Sequence, residues 1–166
     1  MYAIACIDKN YGIGKNGNLL ISIPDDMRFF RETTKDSVVI MGRKTLFSFK
    51  NKEPLKNRIN VVFTHNLELK NNYKNFDNIY FISNKSELND ILLKYSDKKA
   101  FIIGGEKIYN DFIDLCDTVY ITRIDKEFDA DSYFPNLLEH GFKITFSSET
   151  KIYENINYKF ITYQKI

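Results

Sequence analysis

Short apolar runs alternate with polar stretches carrying glycine, asparagine or lysine along most of the chain. Tyr2 to Asp8, Ser37 to Met41, Ile59 to Thr64, Ile79 to Ile82, Lys99 to Ile103 and Thr118 to Ile124 have the length and the β-branched content of strands. Ser37 to Met41 is almost unbroken in its apolar character, as strands buried on both faces of a parallel sheet tend to be. Helical patterns lie between these runs. One opens at Pro24, a short one leads from Gly42 towards Phe49, one is capped by Ser86 and reaches Tyr95, and one runs from Glu106 to Leu115. The tail is different: Phe142 to Ser148 and Tyr158 to Gln164 alternate apolar and polar positions, the mark of an antiparallel hairpin. The pattern predicts a three-layer α/β fold, with a mostly parallel central sheet of about eight strands, helices on both faces and an antiparallel C-terminal hairpin. Residues His65 to Asn78 read as a polar surface excursion. Lys9 to Asn18, with three Gly and three Asn, reads as a flexible connection or a lid over a site.

The 166 residues suit one domain, 1–166, with one substantial core. Hydrophobic residues at 43% and charged residues at 28% are ordinary for a globular protein. A net charge of +2 spread along the chain gives no sign of a nucleic-acid or membrane partner. The Met1 to Cys6 start has neither a basic leader nor a long apolar run, so the chain is expected in the cytoplasm. Cys6 and Cys116 predict no disulfide framework, and His65 and His140 are too isolated for a zinc site, so no metal is expected.

The Ile23 to Arg31 stretch is where an ionisable group meets an apolar surface. Pro24 suits the first turn of a helix, and an acid just after it is favoured by the helix dipole. Helical spacing puts Asp26 on one face with Phe29 or Phe30 and Thr33, and Asp25 on another with Arg28 and Glu32. Asp26 therefore faces inward, where desolvation raises its proton affinity, as an acid working near neutral pH requires. The plainer reading makes both acids helix-start residues and nothing more. Two strand-to-helix junctions offer phosphate cradles. Gly104-Gly105 lets backbone come close to a pyrophosphate, and Gly42-Arg43-Lys44-Thr45 adds two cations and a hydroxyl suited to a phosphate monoester such as the 2′-phosphate of NADPH. Each alone could be a tight turn or a solvated helix start; together they favour a dinucleotide.

In order, Gly12-Ile13-Gly14, Pro24-Asp25-Asp26, Val39-Ile40-Met41-Gly42-Arg43-Lys44-Thr45, Pro54-Leu55 with Asn57-Arg58, Ile102-Ile103-Gly104-Gly105, Tyr109, Ile121-Thr122 and Asp131 to Pro135 resemble a dihydrofolate reductase over nearly the whole chain. The resemblance implies hydride transfer from NADPH to C6 of 7,8-dihydrofolate with a proton reaching N5. It implies that Asp26 is the acid of the pterin site, that Thr122 shares its hydrogen-bond network, and that Arg58 takes the α-carboxylate of the glutamate tail. Ile4, Ala5, Met27, Phe30, Phe49, Leu55 and Ile103 match pocket-wall positions. Cys6, Ile13, Gly14, Asn18, Leu19, Gly42, Arg43, Lys44, Thr45, Thr64, His65, Gly104, Gly105, Glu106, Lys107, Ile108 and Tyr109 match the cofactor side. A monomer with dihydrofolate as its small-molecule partner is expected.

Two positions depart from the family pattern. Leu20-Ile21 stands where the family usually has Pro-Trp, and Ile cannot donate the indole hydrogen bond to site water. Lys52-Glu53 stands where some members carry a further basic residue. Altered loop behaviour, substrate affinity or inhibitor response is expected, with the activity kept. Two other readings remain at this point. One is the fold-sharing NADPH-dependent reductase of riboflavin biosynthesis, acting on a ribosyl-amino-pyrimidine, which lacks the Pro-Asp helix and the downstream Arg. The other is a non-catalytic nucleotide-binding module, for which neither charge nor motif speaks.

Overall fold

A computed structural model of the chain describes residues 1–166. The apolar runs become the strands of one twisted sheet: β1 (Tyr2–Ile7), β4 (Val38–Gly42), β5 (Ile59–Phe63), β6 (Ile79–Ile82), β7 (Ala100–Gly104), β8 (Thr118–Ile124), β10 (Phe142–Ser147) and β12 (Ile156–Lys165). Their order is β10-β12-β8-β1-β7-β4-β5-β6, with β11 (Lys151–Tyr153) pairing the free half of β12. The strands from β8 to β6 along this path are parallel, and β12 is antiparallel to both β8 and β10. The chain steps from β1 to β4, continues outward through β5 and β6, and returns to place β7 between β1 and β4. That return opens a crevice at the carboxyl ends of the strands, where sheets of this kind take ligands.

Side-chain alternation sorts the core into two layers. Ala3, Ile7, Val38, Ile40, Val61 and Ile102 point to one face, beneath α3 (Lys85–Lys94) and α4 (Glu106–Phe112). Ile4, Val39, Met41, Val62, Phe101 and Ile103 point to the other, beneath α1 (Pro24–Thr34) and α2 (Arg43–Ser48). β7 bulges where Ile40 pairs with Ile102 but Met41 pairs with Gly104, so Ile103 is left without a partner at the crevice.

Several elements differ from the sequence expectation. The Lys9 to Asn18 segment is not an unstructured loop. β2 (Gly12–Lys15) and β3 (Asn18–Leu19) form a small sheet with β9 (Ser132–Tyr133). Asp8, only 1% exposed, fastens this segment by accepting the N–H groups of Asn10 and Gly12 on one oxygen and that of Phe128 on the other. The cap of α3 is Asn84, whose side chain accepts the N–H of Glu87, and Ser86 lies inside the first turn. The C-terminal helix of the Glu106 to Leu115 pattern ends at Phe112 and tightens into a 3₁₀ turn over Ile113–Leu115. The His65 to Asn78 excursion contains a 3₁₀ segment, Leu67–Tyr73, that puts Leu69 and Tyr73 into the core. The C-terminal strands β10 and β12 pair antiparallel as expected, and the connection between them carries the additional short strand β11.

Candidate active site

Asp26 owes its place to the register of three elements. Pro24 occupies the first turn of α1, and one turn further on the N–H of Met27 is held by the Ile23 carbonyl. The helix lies across β1, β8 and β12, where Cys6 pairs with Thr122 and Thr122 with Phe160, so these side chains form a row beneath it. Phe29 packs its ring on Tyr120 at 6.1 Å and on Phe160 at 5.0 Å. Asp26, on the same side of the sheet, is 9% exposed. There the Thr122 hydroxyl, 1% exposed, donates to Asp26 Oδ1 at 2.6 Å. Burial pushes the Asp26 carboxyl above the ordinary carboxylate range, the Thr122 hydrogen bond pulls it part of the way back, and the Asp25 carboxylate raises it again. Asp25 lies on the outer flank beside Arg28, to which it is hydrogen-bonded. Burial, then Asp26 and Asp8, hold the Cys6 thiol well above the usual thiol range, so it stays protonated.

Five of the seven expected wall residues gather on this face. Ile4, Ile103, Phe30, Phe49 and Leu55 belong to one apolar cluster, Ala5 packs on the opposite layer, and Met27, 39% exposed, stands at the rim. Arg58 is buried rather than a surface Arg, at 9% exposed. Its Nε donates to Thr34 Oγ1 at 2.9 Å, its Nη1 to the Lys56 carbonyl at 2.7 Å and its Nη2 to the Arg31 carbonyl at 3.0 Å. One further N–H remains on each Nη, the fork that a carboxylate matches. Thr34, which anchors Arg58, is the fully buried threonine of α1, while Thr33 is half-buried. The turn before Arg58 is fixed by Asn60, which exchanges two hydrogen bonds of 2.9 Å with the Leu55 backbone, and by Asn78, which donates to the Leu55 and Arg58 carbonyls.

The cofactor-side residues meet in a cleft of about 1520 Å³ at the carboxyl ends of β1, β4, β5, β6 and β7. Cys6, Ile13, Gly14, Asn18, Leu19, Gly42, Arg43, Lys44, Thr45, Thr64, His65 and the whole Gly104 to Tyr109 run line it. Of the other expected residues only Ala5 and Ile103 reach it, so the cleft and the acid wall are neighbouring compartments that touch at Ala5, Cys6 and Ile103. Gly104 has φ +119, a region almost closed to other residues, and a Cβ there would stand 3.2 Å from the Tyr109 ring. That ring is pinned by its hydroxyl, which donates to the Ile4 carbonyl at 2.7 Å, and by Phe134 at 4.6 Å. Arg43, Lys44 and His65 are exposed and take part in no ion pair. Bare backbone at one junction and unneutralised cations at the next fit a dinucleotide carrying an extra phosphate.

Sequence reasoning missed a third junction. Ser83, Asn84 and Lys85, between β6 and α3, line the same cleft, as do Asn66, Asp131 and Ser132. The signal was present for the first three, a polar run directly after an apolar strand. Asp131 and Ser132 stood out only as part of the Asp131 to Pro135 family piece, with no place at a site, because their position depends on the small sheet formed with β2.

A parallel sheet with bare glycine backbone and unpaired cations at one cleft, and a buried carboxyl beside it, suits the class of dinucleotide-dependent enzymes. Comparison with known proteins makes this particular. The family model described as dihydrofolate reductase matches residues 1–165. A dihydrofolate reductase of Bacillus subtilis is 33% identical over 164 residues, covering 98% of this chain and 92% of its own. One from Heliothis virescens is 31% identical over 189 residues, covering 100% of this chain and 96% of its own. A bifunctional dihydrofolate reductase-thymidylate synthase of Daucus carota is 32% identical over 177 residues and covers 98% of this chain, which spans 33% of that longer protein. The chain belongs to the dihydrofolate reductase family, whose members reduce dihydrofolate with NADPH.

Proposed function

We propose that this chain converts 7,8-dihydrofolate to 5,6,7,8-tetrahydrofolate with Asp26 as the proton-managing group of the pterin site. NADPH, when bound, supplies the hydride that goes to C6, and N5 takes a proton. The single observation carrying this reading is the buried Asp26–Thr122 pair at the border of the dinucleotide cleft. Hydride transfer needs no protein nucleophile, only a dry contact between two rings and an acid tuned by burial. Asp26 holds the donor groups of the pterin and keeps proton affinity high near N5. Thr122 orients the carboxyl and keeps acceptor capacity for a ligand donor. Arg58 receives the tail carboxylate, Ile4, Ala5, Met27, Phe30, Phe49, Leu55 and Ile103 exclude water from the rings, and Arg43, Lys44, Thr45 and His65 select the phosphorylated dinucleotide.

The same reading makes 1–166 one domain that works as a monomer in the cytoplasm. In support, no helix is long and apolar enough to cross a membrane, and neither cysteine is paired. The test is initial-rate oxidation of NADPH with dihydrofolate, beside Asp26→Asn and with NADH as the control donor. Turnover that prefers NADPH and collapses in the variant is expected. Full activity in Asp26→Asn removes the proposed role.

A further inference from the structure

Asp25 sits one residue before the acid and faces away from it, yet it is bound more tightly than an exposed helix-start residue needs to be. Arg28, one turn along α1, donates to its Oδ1. From the other side the Tyr158 hydroxyl donates to its Oδ2 at 3.1 Å, across 133 residues of chain. Tyr158 is rigid: it is 5% exposed, packed with Ile23 and Ile124, and edge-on to Phe160 at 5.9 Å. In register it pairs with Ile124, two residues along β8 from Thr122, so Tyr158 and Thr122 stand on the same sheet face beneath one helix turn. The two consecutive acids of α1 are thus held by two neighbouring strands, Asp26 by β8 and Asp25 by β12.

We propose that Tyr158 and Asp25 are a positioning pair for Asp26, a clamp from β12 that sets the rotation of the first turn of α1 and so the aim of the Asp26 carboxyl at Thr122 and the pterin. The proposal rests on the reading of Asp26 given above. A helix that carries its acid in the first turn has no preceding turn to brace it, and Ile23 offers no side-chain cap. The brace comes from the sheet. The clamp also keeps a charge in place. The Arg28 hydrogen bond, with help from Tyr158, Arg28 and Lys151, holds Asp25 below the ordinary carboxylate range, so it is ionised wherever the reaction runs and disfavours the ionised form of Asp26. The other titratable groups facing Asp26 are Cys6 from β1, Tyr109 from α4 and Tyr158 itself from β12. All three are pushed upward, first by burial, and stay neutral. Asp25, paired with Arg28, is then the charged group that acts on the Asp26 carboxyl.

The test compares Asp25→Asn, Tyr158→Phe and Asp26→Asn in single-turnover hydride transfer across pH, with NADPH affinity and thermal midpoint measured for each. Both positioning variants are nearly isosteric, and neither touches the cofactor cleft. Asp25→Asn is expected to move the midpoint of the pH profile downward by about half a unit, the size of one charge removed at close range in a partly solvated site. Tyr158→Phe is expected to lower the hydride-transfer rate about threefold to tenfold while NADPH affinity holds, the loss that a slightly misplaced group brings. The proposal is overturned if both variants keep the parental profile and rate, including the case in which only their thermal midpoints fall, because that is a stabilising role alone. Failure of the underlying reading looks different: Asp26→Asn itself would then retain transfer at neutral pH.

Discussion

The cleft at the ends of β4, β5 and β7 is finished in solvated cations and bare backbone, whereas the face beneath α1 is finished in a single buried carboxyl bonded to Thr122. Both are made by the same sheet, two strands apart. In the cleft, Arg43 and Lys44 are exposed to water and take part in no ion pair. Under α1, Asp26, Thr122 and Arg58 are each almost fully buried, and α1 is held to β8 by the Asp26–Thr122 bond and to Arg58 by Thr34 and the Arg31 carbonyl. On the proposed reading the cleft recognises by summed charge, which salt screens and which tolerates the loss of one member. The acid wall recognises by position, and a lost partner leaves a buried polar group exposed to its full desolvation cost. On the proposed reading, specificity for the phosphorylated donor is graded, and handling of the pterin is close to all or none.

That contrast can be broken most directly at Asp26. Asp26→Asn should lower hydride transfer at neutral pH by about a hundredfold or more, with part of the rate returning in acid as solvent supplies the proton. The same change should stabilise the fold. The folded-state affinity of Asp26 is raised by burial, so the native state binds the proton more tightly than the unfolded chain, and stability falls as pH rises from the ordinary carboxylate range through the raised value. Thermal midpoints taken in acid and at neutrality should show that fall in the parent and a flatter line in the variant. Next in size, Arg58→Lys should raise KM for dihydrofolate by about tenfold with kcat held, since a point charge cannot replace a buried fork. Arg43→Ala should raise KM for NADPH by about fivefold, leave NADH unchanged and flatten the dependence on salt. An Arg43 effect as large as that of Arg58, or one indifferent to salt, would erase the distinction between the two compartments. The smallest effect is expected at Ile21, which lies half-buried beside the Ile23, Ile124 and Tyr158 cluster. Ile21→Trp should change KM for dihydrofolate or antifolate affinity by about threefold, and unchanged constants would mean that the departure from Pro-Trp is silent.

Much of the cofactor side was legible because its chemistry is local. A glycine pair or a Gly-Arg-Lys-Thr run between an apolar strand and a helix carries its own geometry, and every residue assigned to the cleft does line it. The acid wall was legible in its direction, since helical spacing alone turns Asp26 inward and leaves Asp25 beside Arg28. Its supports were not. Spacing named Thr33 as the companion of Asp26, but a further residue along, Thr34, is the one that the interior takes and Arg58 leans on. Asn60 and Asn78 look like ordinary strand-edge polar residues until the Leu55 to Arg58 turn folds back on them.

The Lys9 to Asn18 segment marks the boundary most clearly. Its glycines and asparagines permit many conformations, and the residues that choose among them, Asp131 and Ser132, lie more than a hundred positions away, as in the Asn16 N–H bond to Asp131 across 115 residues. Periodicity and junction chemistry in the chain itself determined the strands, the main helices, the inward acid and the glycine-rich and cationic junctions, because those rest on contacts within a few residues. The tertiary structure alone decided the small sheet over the cleft, the anchoring of Arg58 and the Tyr158 clamp on Asp25. Those depend on which distant backbone arrives alongside, and only the packing of the whole sheet decides that.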